Sequence, residues 1–234
     1  MNTEAAMTYQ VDFTLPFQDR KEAGRFLANR LKAYAQRADV VVVVLPRGGV
    51  PVGAEIATAI QAPLATLVVR KLGVPGHEEL AMGAVTSGGK RFINRSVAVP
   101  LHISHFEIES AVQRELLEVA RRERLYCRGQ EMPAVKGKTV ILTDDGIATG
   151  STMRLAVQAV REQGAARIVI AVPVAPAENI PWLHQIADEV VCLATPEPFN
   201  AVGRWYQDFH PVDDHEVCVL LDHAMERTRM AQSA

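Results

Sequence analysis

The run Val40-Val41-Val42-Val43-Val44-Leu45 constrains the fold more than any other stretch, because an unbroken series of apolar, mostly β-branched residues leaves no face for water. Such a strand suits a parallel sheet covered on both sides; a strand with one wet face would alternate apolar and polar residues. Leu64 to Val69, Thr139 to Leu142, Arg167 to Val172 and Glu189 to Leu193 read as further strands. Helical spacing of apolar residues falls between or before them at Asp19 to Gln36, Ala54 to Ile60, Gly150 to Gln163 and Ile180 to Ile186. Alternating strands and helices predict an α/β fold with a parallel twisted sheet flanked by helices.

Composition narrows the class of partner. Hydrophobic residues at 48% and charged residues at 22% fit a packed chain rather than a disordered one. The 25 Lys and Arg against 27 Asp and Glu leave a net charge of −2, so no general positive field gathers nucleic acid or an anionic membrane. An anionic ligand must therefore be held locally. The three cysteines, Cys127, Cys192 and Cys218, form no C-x-x-C pair and no metal-ligand pattern, and read as reduced thiols of a soluble, cytoplasmic protein. Residues 1–18 read as a polar N-terminal tail with neither a signal pattern nor a spanning run. Residues 19–234 then read as one domain, with a helical insertion at about 100–130 and a segment rich in Pro and aromatics at about 195–215.

Within the insertion, Ser104 and Glu107 form a capping box ahead of apolar residues at helical spacing. Its Arg121, Arg122, Arg124 and Arg128 are interleaved with Glu115, Glu118 and Glu123, which favours a solvated face over an anion patch. The glycine-rich stretch from Leu72 to Arg95 reads as a mobile loop with short strands around Ala84-Val85 and Phe92-Ile93. Trp182, in a helical stretch, reads as packing, and Val217 to Leu221 and a helical stretch close the chain.

In open parallel sheets ligands bind beyond the carboxyl ends of the strands. Two loops there carry chemistry. The first, Thr143-Asp144-Asp145-Gly146-Ile147-Ala148-Thr149-Gly150-Ser151-Thr152, leads from a strand into a helix. Adjacent carboxylates can accept hydrogen bonds from vicinal hydroxyls, while the glycines, hydroxyls and free N–H groups after them cradle an anion. A ribose carrying a 5-phosphate satisfies both halves. Helix capping alone would need one such residue. The second loop, Arg47-Gly48-Gly49, could let backbone and guanidinium approach a phosphate, although alone it reads equally as a plain turn.

The run from Val140 to Thr152 resembles the phosphoribosyl-pyrophosphate signature of type I phosphoribosyltransferases, and Arg47-Gly48-Gly49 resembles their pyrophosphate loop. The resemblance extends from about Phe17 to Leu221, and more narrowly is to a bacterial subgroup whose acceptor is unsettled. It implies transfer from magnesium-bound phosphoribosyl pyrophosphate to a nitrogen nucleophile, a nucleobase or similar heterocycle, with release of pyrophosphate. Asp144 and Asp145 would hold the ribose hydroxyls and stand indirectly near Mg2+. Gly146, Ile147, Ala148, Thr149, Gly150, Ser151 and Thr152 would seat the 5-phosphate. Arg47, Gly48, Gly49 and Lys71 would bind pyrophosphate, with Arg70 beside them as in the adenine and orotate enzymes, and the glycine-rich stretch would be the closing catalytic loop. A homodimer is expected by the same analogy.

Two features depart from or extend the pattern. Where 6-oxopurine enzymes carry an Asp, this chain has Ala148, so a proton carrier would come from His77, Glu78 or Glu79, which read otherwise as a solvated charge cluster. At about 195–215, where the resembled family places the hood that holds the acceptor, Trp205, Tyr206 and Phe209 read either as a stacking face for a flat ring or as anchors of a loop. A non-catalytic sensor of phosphoribosyl pyrophosphate, or a hydrolase or phosphorylase of a phosphoribosyl compound, are the alternatives. The retained Arg47, Lys71 and loop favour catalysis.

Overall fold

A computed structural model describes residues 13–86, 89–127 and 134–232. Its centre is a five-stranded parallel sheet of β1 (Val40–Val44), β2 (Leu64–Thr66), β6 (Thr139–Thr143), β7 (Arg167–Val174) and β8 (Glu189–Ala194), in the spatial order β2-β1-β6-β7-β8. Alternate valines of β1 enter two separate cores. Val40, Val42 and Val44 face α1 (Arg20–Arg30), α2 (Gly49–Ile60), α4 (His105–Cys127) and α7 (Asp214–Gln232). Val41 and Val43 face α5 (Ser151–Glu162) and α6 (Ile180–Ile186). The all-apolar strand is thus covered on both sides.

Strand β1 lies in register with β6, from Val40 opposite Thr139 to Val44 opposite Thr143. The chain leaves β1 toward β2 on one side and resumes at β6 on the other. The strand order therefore reverses between β1 and β6, and their carboxyl ends bound the crevice where α/β sheets take ligands.

Several expectations are corrected. Helix α2 begins at Gly49 rather than Ala54, because Pro51 stands in a first turn that needs no N–H from it. The second strand stops at Thr66, and Val69 opens β3 (Val69–Val74) instead. Strand β3 pairs antiparallel with β4 (His77–Thr86), and β4 with β5 (Arg91–Ile93), after which a short α3 (Arg95–Ala98) leads toward α4. The described part of the glycine-rich stretch is therefore mostly a small sheet, not a loop: Leu72, Val74, Met82 and Val85 are buried in the main core. Val217, Cys218 and Leu221 lie buried at helical spacing on α7.

The supposed tail is corrected in part. Phe17 is fully buried, forms a parallel bridge with Tyr206, and packs with Phe13, Phe26 and Tyr206. Residues 1–12 lie outside the described residues, as does Arg128. The capping box forms as expected: the Ser104 N–H donates to Glu107 Oε2 at 2.8 Å and the Glu107 N–H to Ser104 Oγ at 3.2 Å. Arg121 and Arg122 pair with Glu118, as a solvated charged face requires. Among the described residues no helix is long and apolar enough to cross a membrane.

Candidate active site

The two loops meet at the crevice. A Cβ on Gly48 would overlap Asp145 Oδ2, and one on Gly49 would stand 2.9 Å from Asp144 Cα and 3.0 Å from the Thr143 carbonyl oxygen. Glycine is needed at 48 because backbone passes directly over a carboxylate. Gly53 is held alike, between the side chains of Val44 and Thr143, which seats α2 against both strand ends. The Pro46–Arg47 peptide is cis. Arg47 is exposed at the lip of the crevice, 3.9 Å from Asp214 Oδ1.

Asp144 and Asp145 are half-buried where β6 ends. Each has one oxygen engaged. Asp144 Oδ1 accepts the Asp145 N–H at 2.9 Å, and Asp145 Oδ2 accepts Arg20 Nε at 2.9 Å. Asp144 Oδ2 and Asp145 Oδ1 accept no hydrogen bond among the described residues. Withdrawal from water pushes both carboxyls above the ordinary range; the neighbouring Asp145 charge pushes Asp144 further, while Arg20 pulls Asp145 partly back.

After the acids the chain turns into α5 through Gly150, whose φ of +74° is left-handed and whose missing side chain makes room for the Trp182 ring. Gly150 offers no side-chain cap, so the first N–H groups of α5 are left without one, and Ala148 and Thr149 are exposed around them. Thr149 Oγ1 and Ser151 Oγ lie 2.9 Å apart at the rim, and Thr152 is half-buried beside them. This is the geometry of an anion seat. Ile147 is a correction: its side chain is buried and its N–H donates to the Val174 carbonyl, so it anchors the loop and contributes nothing to the seat. Gly146 lets Val202 and Val174 approach, at 2.6 and 2.9 Å from where its Cβ would be.

Other site candidates are redistributed. Arg70 donates to Glu115 on α4 at 2.9 Å, an ion pair that ties β3 to that helix instead of facing the crevice. Lys71 is exposed on β3 opposite Ala84, and Glu78 is exposed near the tip of the β3–β4 hairpin, its backbone packed against Gly73. Glu79 lies on β4. The hairpin packs on α4 and α5, and no hydrogen bond or ion pair joins Lys71 or Glu78 to the acids among the described residues.

In the hood, Tyr206 does not offer a stacking face. Only 5% exposed, it stacks with Phe209 at 5.2 Å, packs on Phe17, and donates its hydroxyl to the Asp145 carbonyl at 2.6 Å. Phe209 carries the Arg20 guanidinium 3.8 Å above its ring. Trp205 is half-buried against Phe199.

Two supports escape the sequence reading. Asn179, buried, donates Nδ2 to the Ala148 carbonyl at 2.7 Å and accepts from Trp182 Nε1 at 3.1 Å, bracing the loop between β6 and α5. Trp182 therefore does more than pack. Arg20 is the other support; its only local signal is a cation in the first turn of a helix, where the macrodipole disfavours it.

The chain is an α/β protein with a parallel sheet, and an acidic pair and an uncapped helix start lie at its switch point, where such sheets take ligands. The chain belongs to the phosphoribosyl transferase domain family, whose model matches residues 17–206. It is 45% identical over 208 residues to the Mycobacterium tuberculosis H37Rv protein named "Putative phosphoribosyl transferase Rv0571c", covering 89% of this chain and 47% of that one. The CDC 1551 counterpart, MT0597, matches to the same extent, so the chain spans about half the length of these curated relatives. The crystal structure of TT1426 from Thermus thermophilus superposes with a TM-score of 0.76 at 38% identity, covering 88% of this chain and 97% of that one.

Proposed function

We propose that the chain transfers a phosphoribosyl group from phosphoribosyl pyrophosphate to a nitrogen of a flat heterocycle, a nucleobase or similar ring, and releases pyrophosphate. One observation carries the reading: the Gly48-Gly49 turn closes directly on Asp144 and Asp145 at the switch point, and each acid has one oxygen, Asp144 Oδ2 and Asp145 Oδ1, that accepts no bond from another described residue. The start of α5, with Thr149, Ser151 and Thr152, seats the 5-phosphate. Asp144 Oδ2 and Asp145 Oδ1 accept from the ribose 2- and 3-hydroxyls. Arg47, with the backbone of Gly48, takes the pyrophosphate, while Gly49, whose N–H already donates to the Leu45 carbonyl at 3.2 Å, lets the turn close on Asp144.

The bond from C1 to the pyrophosphate oxygen breaks, its electron pair leaving with pyrophosphate, and the nitrogen lone pair forms the new bond from the opposite face. Cationic character develops at C1 in between. Asp144 and Asp145, held on the ribose hydroxyls, would lend negative charge near that centre. Ala148 has only a methyl group, so proton exchange with a 6-oxopurine is not assigned to that position.

Among the described residues no three His, Cys, Asp or Glu side chains converge to hold a metal. The residues present fit an ion carried mainly by the donor's own oxygens, with the unengaged oxygens of Asp144 and Asp145 as its nearest acids. This is the coordination Mg2+ favours. Bound Mg2+ would neutralise charge on the departing pyrophosphate.

The test incubates the full chain with Mg2+ and phosphoribosyl pyrophosphate against a panel of nucleobases and amines, following pyrophosphate release. Acceptor-dependent release is expected, with loss of donor binding or turnover in a folded Asp144→Asn, Asp145→Asn double variant. Tight donor binding without release for any acceptor would make the chain a sensor. Unchanged activity in the double variant would remove the assignment.

A further inference from the structure

We infer that Arg20 is a positioning residue for the sugar-binding acids, engaging one oxygen of Asp145 so that the other faces the donor; the inference rests on the donor site proposed above. Arg20 stands in the first turn of α1 yet is only 8% exposed. A cation withdrawn this far from water needs partners, and those here come from two separate parts of the fold, the acidic loop and the hood. Nε donates to Asp145 Oδ2 at 2.9 Å, and Nη1 donates to the His210 carbonyl at 3.0 Å. The guanidinium lies 3.8 Å above the Phe209 ring. Arg20 thus joins α1, the acidic loop and the hood at a single point.

The consequence for Asp145 is geometric. Its Oδ2 sits between Arg20 and the bare Cα of Gly48, and its backbone carbonyl is fixed by the Tyr206 hydroxyl. Oδ1 accepts no bond from another residue among the described residues and is the less hindered acceptor for a new donor. Asp144 is restricted in the complementary way, with Oδ1 engaged and Oδ2 left. One available oxygen per acid matches two vicinal hydroxyls. Without Arg20, the Asp145 carboxylate can turn about its last torsion and the match is lost. A tie between α1 and the hood needs only the His210 and Phe209 contacts, so the Asp145 bond is the part that serves the ligand.

Calorimetry on the full chain, with phosphoribosyl pyrophosphate plus Mg2+ and separately with ribose 5-phosphate, distinguishes these roles. Arg20→Met should weaken both ligands about tenfold, the weight of one charge-assisted hydrogen bond, with the circular dichroism spectrum unchanged. On an Asp145→Asn background the same change should alter affinity less than about twofold, since Arg20 acts through that side chain. Arg20→Lys, which keeps a donor beside Asp145, should recover part of the loss. Wild-type affinity in Arg20→Met, or an equal loss on both backgrounds, overturns the inference while leaving the donor site standing. Binding of neither ligand by the unaltered chain overturns both. If Arg20→Met does not fold, Arg20→Gln is judged by the same cycle and the same limits.

Discussion

At position 48 the chain has room for a hydrogen and nothing larger, because Asp145 Oδ2 occupies the place of a side chain. Gly48→Ala must push the acid or the loop aside. The expected result is at least about a tenfold loss of donor affinity by calorimetry, from misplacement of the carboxylate. An alanine variant with wild-type affinity would show that the approach of the two loops is irrelevant to binding. Asn179 makes a second residue-scale case. Asn179→Ala strands the Ala148 carbonyl and the Trp182 indole N–H, at a cost of about 1–3 kcal/mol read as a lower denaturation midpoint. The acidic loop is legible in the sequence because its chemistry is local: adjacent carboxylates followed by glycines and hydroxyls exceed what capping needs, whereas Gly48-Gly49 alone reads equally as a plain turn and gains meaning only beside it. Arg20 and Asn179 are not legible there, since each acquires meaning only from a partner brought near by folding, Asp145 across 125 positions and Ala148 across 31.

Among the elements, α4 is the most fully legible, since its start is written in a capping box and its face in alternating charges. Its Glu118 tests the electrostatics. Hydrogen bonds from Arg121, with Arg122 adding to them, hold the Glu118 carboxyl down at about 2, from an ordinary 4.5. A depressed carboxyl contributes stability above its unfolded value and loses it as pH falls through the folded one, so the contribution should fade between about pH 4.5 and 2. The group is open to solvent on the Arg121 side, so its contribution is cut by screening to about 1 kcal/mol, and added salt at about 0.5 M should reduce it further. Glu118→Gln compared with the unaltered chain in urea at about pH 7 and about pH 3 reads this directly; an equal difference at both would refute it. The β3–β4 hairpin resembles a loop in sequence for an identifiable reason. Gly73, Gly76 and Gly83 suggest turns, whereas Gly76 alone of the three takes a positive φ, at the tip, and the other two accommodate close cross-strand backbone.

On the scale of the whole molecule, the doubly covered β1 is enough to imply the parallel sheet, and the order of strands and helices is enough to place both loops beyond strand ends. What the pattern does not reveal is how distant parts of the chain close on each other. Phe17 hydrogen-bonds through its backbone to Trp205 and Gln207, and its ring fills a cluster with Phe13, Phe26 and Tyr206. Tyr206 in turn holds the Asp145 carbonyl. A segment that looks like a polar tail therefore reaches the site through one aromatic neighbour. Phe17→Ala should cost about 3–5 kcal/mol, as buried Phe truncations do, and lower the melting temperature by roughly 6–20 °C for a domain this size. The surviving folded protein should also bind phosphoribosyl pyrophosphate more weakly, because the hydroxyl that steadies Asp145 is no longer backed by a filled core. Tyr206→Phe separates the two effects: it keeps the ring and removes only the hydroxyl, so it should spare most of the melting temperature while reproducing the loss of affinity. If Tyr206→Phe bound the donor as the unaltered chain does, the hood would be a stabilising cap with no bearing on the acids.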